Sequence, residues 1–430
     1  MSNNRMFQNA KWIIVCRIVK AVLQMAIGMI TVRYLGPSNY GLVNYATSVI
    51  AFTIPVMQLG LNSTLVQEYV THPEAESEIA GTSIILSVIS GLACMVGVAS
   101  FASVVNHGET ATIVVCILSS ISLLFQATEM LQYWFQAKLL SKYPSISILV
   151  AYVLTSAYKI WMLASGRCIY WFALSNAVEY GITSVLFFLA YKYAGGGRLR
   201  FSKKIAKTMF SKSKYFILSN LMVTIYHNTD LVMVKLISGN TEGGYYGAAL
   251  TCGCVVNFVY AAIIDSGRPM ILEKQKESKR AFEDSVTKLY SVIIYATLAQ
   301  CIAYLFFSPL IVRILCGEEY LPTVSVLRIL VWHQMFSYTS YVRDIWILAE
   351  GKQGKLWVIN TSGVVINIVL NMVMIPLWQS TGAAIASVLT YFATNILMVL
   401  LVKPLRPSLG LMIRGLNPRY LLDVVRMIRK

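Results

Sequence analysis

Charged side chains are scarce in this sequence. Only 13% of the 430 residues are Asp, Glu, Lys or Arg, against about 25% in ordinary soluble domains. Apolar residues instead make up 57% of the chain, and they occur in blocks of roughly 20, the length of a helix that crosses a bilayer. The low charge excludes a soluble globular protein and predicts a membrane protein with many spans.

Signatures of soluble enzymes and of ATP-driven pumps are also missing. The sequence has no P-loop, no G-x-S-x-G motif and no H-E-x-x-H motif. Its longest loops have about 20 residues, which is too short for a separate catalytic domain. Membrane transport is therefore favoured over catalysis, and no cofactor is expected.

Metal-binding and disulfide patterns are absent as well. The eight cysteines are scattered through apolar segments, and only four histidines are present. Cys252 and Cys254 form the closest pair, but they have neither the C-x-x-C spacing nor the histidine partner of a zinc site. We predict no metal site and interpret the cysteines as helix filler.

Basic residues outnumber acidic ones by 36 to 19. No nucleic-acid partner is expected, because the basic residues lie between apolar blocks rather than in a soluble domain. With the N-terminus inside, the inner segments hold 27 basic residues and the outer ends hold four. By the positive-inside rule, we predict a multi-pass protein of the cell inner (plasma) membrane, with both termini cytoplasmic and the first span retained.

Twelve apolar windows are predicted as spans. They lie near residues 12 to 35, 42 to 65, 79 to 105, 111 to 135, 144 to 164, 169 to 191, 213 to 237, 244 to 268, 289 to 312, 322 to 348, 355 to 377 and 381 to 403. A basic segment separates the sixth window from the seventh. We predict an N-terminal six-helix lobe at 1–191, a basic cytoplasmic linker at 192–214, a C-terminal six-helix lobe at 215–403 and a basic cytoplasmic tail at 404–430.

Short repeats relate the two halves. The segments 134–137 and 346–349 end the fourth and tenth spans as W-x-x-A, while 41–46 and 243–248 open the second and eighth with the same Gly-to-Ala spacing. Repeats of this kind are typical of transporters with a site between two lobes. The sequence thus predicts an all-α integral membrane protein of about twelve transmembrane helices, in two six-helix lobes related by a pseudo-two-fold axis along the membrane normal.

Two amphipathic segments are predicted at the cytoplasmic surface. In the linker, Phe201, Ile205 and Met209 repeat every four residues, as in a helix that lies on an anionic membrane. A plain solvated linker is the alternative. The tail is predicted as a membrane-surface helix capped at Asn417. Its charged face comprises Arg419, Asp423, Arg426 and Lys430.

Charged side chains inside the spans are candidates for function, because a charge at a helix centre costs about 2.5 to 3.5 kcal/mol. Arg17, Lys20 and Gln24 share one face of the first span by their spacing, which predicts that this face borders a cavity. The alternative is that Arg17 and Lys20 extend to the inner headgroups. Lys159 and Arg343 are further cationic candidates for substrate binding, unless each pairs with a nearby acid.

Two spans carry a polar stripe that ends in a carboxylate. The stripe of the seventh span contains His227 and Asp230, and that of the tenth contains His333 and Asp344. A histidine beside a carboxylate can carry a proton or bind a cation, so we predict an ion-coupling or gating role for His227, Asp230 and Asp344. A hydrogen-bonded packing stripe is the alternative. The eleventh span adds a polar face formed by Asn360, Asn367 and Asn371.

Four motifs occur in order along the chain. They are RYLGPSNYG at 33–41, YHNTD at 226–230, ILCGEEY at 314–320, and the elements NIVLN, IP and GAAIA within 367–386. With them the sequence resembles, nearly end to end, the polysaccharide flippases of O-antigen and capsule type in the multidrug/oligosaccharidyl-lipid/polysaccharide exporter superfamily. The motifs are mostly Gly, Pro and small residues that allow close helix packing, so they identify the fold better than the site.

The resemblance implies an inner-membrane carrier that moves undecaprenyl-pyrophosphate-linked oligosaccharide to the outer leaflet by alternating access. It also implies cations in the cavity, a role assigned to Arg17, Lys20, Lys159 and Arg343. The chemistry agrees, because a pyrophosphate with about two negative charges cannot cross hydrocarbon unaided. The partners to consider are this lipid-linked substrate, membrane lipids, H⁺ or Na⁺ as coupling ion, and polysaccharide assembly proteins.

Two other functions stay open. A drug/cation antiporter of the same superfamily would share the fold but should have an acidic cavity. A membrane enzyme acting on lipid-linked sugars would need carboxylates that take part in turnover. Inside the predicted spans five cations face four acids, and this surplus of positive charge favours the flippase.

Overall fold

The computed structural model describes the backbone of residues 2–428 and the side chains of residues 15–424 and 426. The α-helices of the first half are α1 (Ser2–Met57), α2 (Leu65–Thr71), α3 (Glu76–Val105), α4 (Thr110–Ser120), α5 (Ser122–Gln126), α6 (Leu131–Ala137), α7 (Lys142–Ala164), α8 (Ile169–Ala173) and α9 (Ser175–Tyr193). Those of the second half are α10 (Lys203–Ser238), α11 (Asn240–Gly253), α12 (Asn257–Glu277), α13 (Lys279–Leu315), α14 (Thr323–Ala349), α15 (Leu356–Phe392), α16 (Met398–Leu401), α17 (Arg406–Gly415) and α18 (Pro418–Ile428). No strand occurs within residues 2–428, and the predicted all-α class is confirmed.

Two of the long helices are interrupted within their bounds. α1 contains Gly36 at φ 69°, and α15 contains Gln379 at φ 52° directly after the non-helical Trp378. A left-handed residue cannot continue a right-handed helix, so the chain changes direction at both points. α1 and α15 therefore hold two helical segments each.

Eight segments are long and apolar enough to cross a membrane. They are Val15–Met57, Pro73–Val105, Thr110–Ala137, Lys142–Ala164, Ile169–Tyr193, Asn240–Glu277, Lys279–Leu315 and Gln353–Leu401. The first and last contain the interruptions of α1 and α15 and so supply two spanning helices each. α10 and α14 are also long enough to span, but the polar stripes that end in Asp230 and Asp344 lower their hydropathy. Together these make the predicted twelve helices of a multi-pass membrane protein.

The orientation in the membrane stays a prediction, and cysteine labelling measures it. In a background without the exposed Cys168 and Cys254, we expect single cysteines at 106–110 and 378–381 to react with an impermeant thiol reagent on intact cells. Cysteines at 195–212 should react only after permeabilisation, because the basic linker is expected inside. A linker that is labelled from outside would reverse the topology.

The chain forms two compact units. The first comprises Met1–Leu35 and Leu42–Asn228, and the second comprises Gly36–Gly41 and Thr229–Lys430. Each unit has its own apolar core of large buried side chains. Examples are Phe135 and Phe187 in the first unit, and Phe282 and Tyr290 in the second.

The segment Gly36–Gly41 packs against α11 in the second unit, although both of its ends continue into the first. A Cβ atom built on Gly41 would lie 1.9 Å from the carbonyl oxygen of Asn240, and one on Gly244 would lie 1.9 Å from that of Pro37. The colliding atoms belong to the main chain, which cannot move aside as a flexible side chain can. Glycine is therefore required on both sides of this contact.

We expect Gly244→Ala to destabilise the protein by about 1 to 3 kcal/mol, the usual cost of overpacking. The matched control is Gly97→Ala, which also changes a helical glycine but places its Cβ where no other atom lies within 4 Å. The control should be neutral or slightly stabilising, because alanine is the better helix former. Thermal unfolding in detergent, followed by size-exclusion chromatography, compares the two. Equal melting temperatures would show that the Pro37 contact adapts freely.

The basic linker is fastened to the first unit. The backbone amide of Ser202 donates to the hydroxyl of Thr82 at 3.0 Å, and Nζ of Lys212 lies 2.6 Å from the buried carboxylate of Glu68. Met209, predicted on a membrane-facing stripe, is 1% exposed and packs in the apolar core of this unit. The linker therefore contacts the first unit through part of its apolar face. From Lys203 onward it forms the N-terminal part of α10.

The tail forms the helices α17 and α18. Oδ1 of Asn417 accepts a hydrogen bond from the backbone amide of Arg419 at 3.1 Å, at the capping position predicted from the sequence. Gly415 lies against Tyr290, where an added Cβ would come within 2.9 Å of the tyrosine side chain. Arg419, Asp423 and Arg426 are exposed, and Lys430 lies outside the described residues. Binding of this helix to the membrane surface stays a prediction.

Candidate functional site

A cavity of about 220 Å³ lies in the first unit between α1, α6 and α7. The basic side chains of Arg17 and Lys20 form one side of it. The other lining residues are Cys16, Gln132, Gln136, Ser141, Pro144, Ser145, Ile148 and Leu149. Among the described residues that line the cavity, none is acidic. Two cations beside amides and hydroxyls make a suitable environment for an anion that carries polar substituents.

Arg17 and Lys20 reach the same cavity because they lie about one helical turn apart on α1. Arg17 is exposed, and no ion pair or hydrogen bond of its side chain occurs among the described residues. Within the described part of the chain, no group competes with a ligand for its guanidinium donors. Gln24, predicted on the same face, is also exposed but does not line this cavity.

Lys20 already has partners in the protein. Its Nζ lies 2.9 Å from Oε1 of Glu179 on α9, and 5.2 Å from the ring centroid of Tyr152 on α7. The side chains of Lys20 and Glu179 are 24% and 14% exposed, so this ion pair is only partly shielded from the cavity. Lys20 is thus shared between the cavity wall and an internal acid.

Two further charges adjoin this pair. Lys159 of α7 interacts electrostatically with Glu179 and Lys20, and so does Glu129, from the 3₁₀-helix Ala127–Met130. Neither Lys159 nor Glu129 forms an ion pair or a hydrogen bond with its side chain in the described part of the chain. We refer to Lys20, Glu129, Lys159 and Glu179 as the charged quartet. It brings together two cations and two acids from four separate helical segments.

In the second unit the carboxylate of Asp230 accepts four hydrogen bonds. Oδ1 receives the amides of Asn367 at 2.8 Å and Asn371 at 2.6 Å, and Oδ2 receives the hydroxyls of Tyr246 at 2.9 Å and Ser387. All five side chains belong to residues that are 9% exposed or less. The four donors are neutral amides and hydroxyls. These donors hold the carboxylate in place but do not themselves neutralise its charge.

This cluster around Asp230 has the chemistry to take a proton or a small cation. Oδ1 of Asn371 is buried without a hydrogen-bond partner, and the oxygens of Asn367 and Ser387 adjoin the carboxylate. Oxygen-only ligands suit hard cations, whereas zinc prefers thiolate and imidazole. No cluster of three or more His, Cys, Asp and Glu residues suited to a metal occurs among the described residues.

The other residues predicted for ion coupling are not among the four hydrogen-bond donors of Asp230 described above. His227 is exposed and belongs to the first unit, where its ring centroid lies 5.5 Å from that of Tyr226. Asp344 accepts from Nε and Nη2 of Arg343 at 3.1 and 2.9 Å. Asp344 therefore pairs with a predicted substrate-binding cation.

Arg343 is held by two partners in the second unit. Besides Asp344 it bonds Asn395, whose Oδ1 accepts from Nη1 at 3.0 Å. Arg343 is 6% exposed, and Asn395 lies in the π-helical segment Ala393–Leu397. Such segments are frequent at functional sites. Arg343 therefore pairs with a nearby acid, which is the alternative stated for it from the sequence.

Several contacts of these sites are not predicted from the sequence. They involve Glu179, Tyr246, Ser387 and Asn395. Near equality of cations and acids inside the spans signals that partners such as Glu179 exist, but it does not indicate which cation each acid meets. The positions of Tyr246, Ser387 and Asn395 carry no signal, because Tyr, Ser and Asn also occur as ordinary packing residues in spanning helices.

Residues 30–325 match a protein family described as polysaccharide biosynthesis protein. The chain belongs to this family. The matched range includes Lys159, Glu179 and Asp230, whereas Arg17 and Lys20 precede it. The resemblance to the polysaccharide flippases of the multidrug/oligosaccharidyl-lipid/polysaccharide exporter superfamily is confirmed.

Curated relatives are found in archaea. An uncharacterized membrane protein of Methanocaldococcus jannaschii, MJ1068, is 26% identical over 241 residues, which are 52% of this chain and 47% of the relative. The probable low-salt glycan biosynthesis flippase Agl15 of Haloferax volcanii is 21% identical over 197 residues, which are 46% of this chain and 42% of the relative. The chain spans about half the length of these curated relatives.

Solved structures share the fold over nearly the whole chain. The lipid II flippase MurJ in an inward closed conformation has a TM-score of 0.71 at 14% identity, covering 96% of this chain and 92% of that chain. An inward-facing multidrug resistance MATE family transporter has a TM-score of 0.65 at 15% identity, covering 91% of this chain and 95% of that chain. At these identities the likeness concerns the fold.

Proposed function

We propose that this protein is a flippase for a lipid-linked oligosaccharide. It moves an undecaprenyl-pyrophosphate-linked glycan from the inner to the outer leaflet of the cell inner membrane by alternating access, for synthesis of a surface polysaccharide of O-antigen or capsule type. The observation that carries the proposal is the cavity in the first unit, where Arg17 on a membrane-spanning helix has no acidic partner among the described residues. The family membership and the relative named as a glycan biosynthesis flippase support the same substrate class.

The cavity suits the headgroup of such a lipid. The guanidinium of Arg17 offers a fork of donors to phosphate oxygens, and Lys20 supplies a second positive charge. Gln132 and Gln136 present amides that can bond sugar hydroxyls. The prenyl tail stays in the bilayer, so only the pyrophosphate and the glycan need a polar path. Gln24, Lys159 and Arg343 remain proposed further members of the substrate site.

Ion coupling is proposed at Asp230. A proton or a sodium ion would neutralise its buried carboxylate, and the binding energy would differ between the conformations of the transport cycle. The unpartnered oxygen of Asn371 supports a cation at this point. His227 and Asp344 remain proposed contributors to coupling or gating. Assembly proteins that use the exported glycan are proposed partners.

A drug/cation antiporter is the second candidate, and it is favoured by the shared fold with a MATE transporter. The lining of the cavity disfavours it, because a cationic drug would meet Arg17 and Lys20 and no acid. A membrane enzyme for lipid-linked sugars is the third candidate. It would have to change the covalent structure of its substrate, which transport alone does not do.

Proteoliposomes containing the purified full chain distinguish these functions. With a fluorescent prenyl-pyrophosphate disaccharide as probe, we expect leaflet exchange well above that of protein-free vesicles and no change in the mass of the probe. Ethidium should not accumulate in vesicles under either a proton or a sodium gradient. Ethidium uptake without exchange of the glycolipid would select the antiporter, and a changed probe mass would select the enzyme.

A further inference from the structure

Lys20 can interact with two negatively charged groups, an anion in the cavity and Glu179. It lines the cavity of the first unit, and it also forms the 2.9 Å ion pair with Glu179. An anion that enters the cavity attracts Lys20 away from Glu179. The acid would then be left without a cation inside the membrane, and an unpaired buried charge is strongly unfavourable. Binding of an anion therefore has a cost at Glu179 unless a second cation takes the place of Lys20.

Lys159 is placed to be that second cation. Its charge interacts with both Glu179 and Lys20, and its side chain has no ion pair or hydrogen bond within the described residues. Ile148 of the cavity wall, Tyr152 beneath Lys20 and Lys159 follow one another on α7 at spacings of four and seven residues, so they share a helix face. That face runs from the cavity to Glu179, because α7 packs along α9.

We infer that Lys159 and Lys20 exchange partners when the substrate binds. In the empty state Glu179 holds Lys20. When a pyrophosphate occupies the cavity, Lys20 turns to the anion and Lys159 pairs with Glu179. This inference rests on the proposed function, since it assumes an anionic headgroup beside Arg17. It narrows the proposed role of Lys159 from a direct ligand of the substrate to a positioning residue that acts through Glu179 and does not itself touch the anion.

Glu129 is the second acid of the charged quartet and makes its four charges sum to zero. It faces Lys20 and Glu179 electrostatically and has no ion pair or hydrogen bond of its own in the described chain. With Lys20 drawn into the cavity, Lys159 balances Glu179, and Glu129 is left as one unbalanced negative charge. That charge repels the bound anion. Lys20 thus captures the anion by direct contact. The unbalanced acid weakens the retention of the bound anion and so promotes its later release.

Binding of farnesyl diphosphate to the full chain in lipid nanodiscs tests the exchange, with farnesol as the uncharged comparison. We expect Lys159→Gln to weaken binding about tenfold, within the usual range of coupling between sites. Lys159→Arg should restore most of it, because a cation is again available. Glu179→Gln should bind at least as tightly as the unaltered protein, since Lys20 is then free without any exchange.

The double variant Glu179→Gln/Lys159→Gln gives the decisive comparison. In the exchange mechanism Lys159 matters only while Glu179 is charged, so the double variant should bind like Glu179→Gln alone. A direct attraction between Lys159 and the anion would instead weaken binding equally in both backgrounds, and that result would overturn the inference. So would Lys159→Gln binding at full affinity. Lys159→Met repeats the test if the Gln variant does not accumulate.

Arg17→Ala separates this inference from the proposed function. If Arg17→Ala loses diphosphate binding while Lys159→Gln retains it, the cavity binds the anion but the exchange is wrong. If neither variant changes binding, or if the unaltered protein does not prefer farnesyl diphosphate to farnesol, the proposed headgroup site itself fails. Thermal unfolding of each variant without ligand shows whether the fold is intact.

Discussion

Arg17→Ala is expected to abolish export of the surface polysaccharide in cells, while the lipid-linked intermediate accumulates on the inner leaflet and protein abundance stays normal. Arg17 is a cavity cation with no described protein partner, so its removal disturbs no internal ion pair. Two charge-assisted hydrogen bonds to a phosphate would be lost, together about 3 kcal/mol or more, which is roughly a hundredfold in affinity. Export is measured as surface glycan per cell.

Arg17→Lys discriminates between a binding role and simple extension to the headgroups. Lysine keeps the charge but loses the planar fork, so a binding site predicts partial function. If Arg17 only anchors the helix at the inner headgroups, lysine would replace it freely and alanine would still export. Lys274→Ala is a control, because Lys274 is a partly exposed lysine that pairs with Glu277 and lines no part of the cavity. Normal export by both Arg17→Ala and Lys20→Ala would remove the cationic site from the mechanism.

Asp230→Asn is expected to uncouple transport from its driving ion and to reduce export at least tenfold. The substitution removes the charge and keeps the shape. The asparagine oxygen can accept from Asn367 and Asn371, while its amide can donate to the hydroxyls of Tyr246 and Ser387. The variant should therefore fold and reach the membrane. Leaflet exchange in proteoliposomes, driven first by a sodium gradient at fixed pH and then by a proton gradient without sodium, measures the coupling and identifies the ion.

Asp344→Asn provides the comparison, since Asp344 is also an intramembrane acid but pairs with Arg343. Removing this partner leaves Arg343 bound to Asn395 alone and should lower the melting temperature. The ion dependence of its transport, measured under the same two gradients, tests the proposed contribution of Asp344 to coupling. Ser387→Ala removes one donor to Asp230 without changing its charge, and it should give an intermediate loss of transport. Equal transport by Asp230→Asn and the unaltered protein under both gradients would end the coupling role of this carboxylate.

Hydrophobic periodicity predicts helices and their faces well in this chain. The tenth span is predicted near 322 to 348 and observed as Thr323–Ala349, because its apolar residues recur at helical spacing. The shared face of Arg17 and Lys20 also follows from spacing alone. The eighth span, predicted as one window, is broken at the 3₁₀-helix Cys254–Val256. The break itself contains neither Pro nor Gly, and Gly253 directly before it is a weak stop signal that does not distinguish a break from a continuous helix.

Contacts between residues that are far apart in the sequence are not predicted by these patterns. Lys20 meets Glu179 at a separation of 159 residues, and a pattern that reports one helix at a time cannot select this acid over Glu129. The same holds for the close contact between Gly41 and Asn240, which depends on where the Gly36–Gly41 segment packs. The asparagine face of the eleventh span is visible in the sequence, but its target, Asp230, is determined by tertiary packing. The sequence thus predicts the polar residues of the proposed ion site, but only the structure shows that they contact one another.

The hydrogen bonds around Asp230 join residues that the ribosome synthesises at very different times, which affects membrane insertion. Asn367 follows Asp230 by 137 residues and Ser387 by 157, and at about 5 to 20 residues per second a ribosome needs roughly 7 to 30 s to add them. Through most of that interval Tyr246 is the only one of the four donors that exists, and burial of a carboxylate in lipid costs about 2.5 to 3.5 kcal/mol. The entry of α10 into the bilayer is therefore provisional, and the insertion machinery must shelter it until α15 is made.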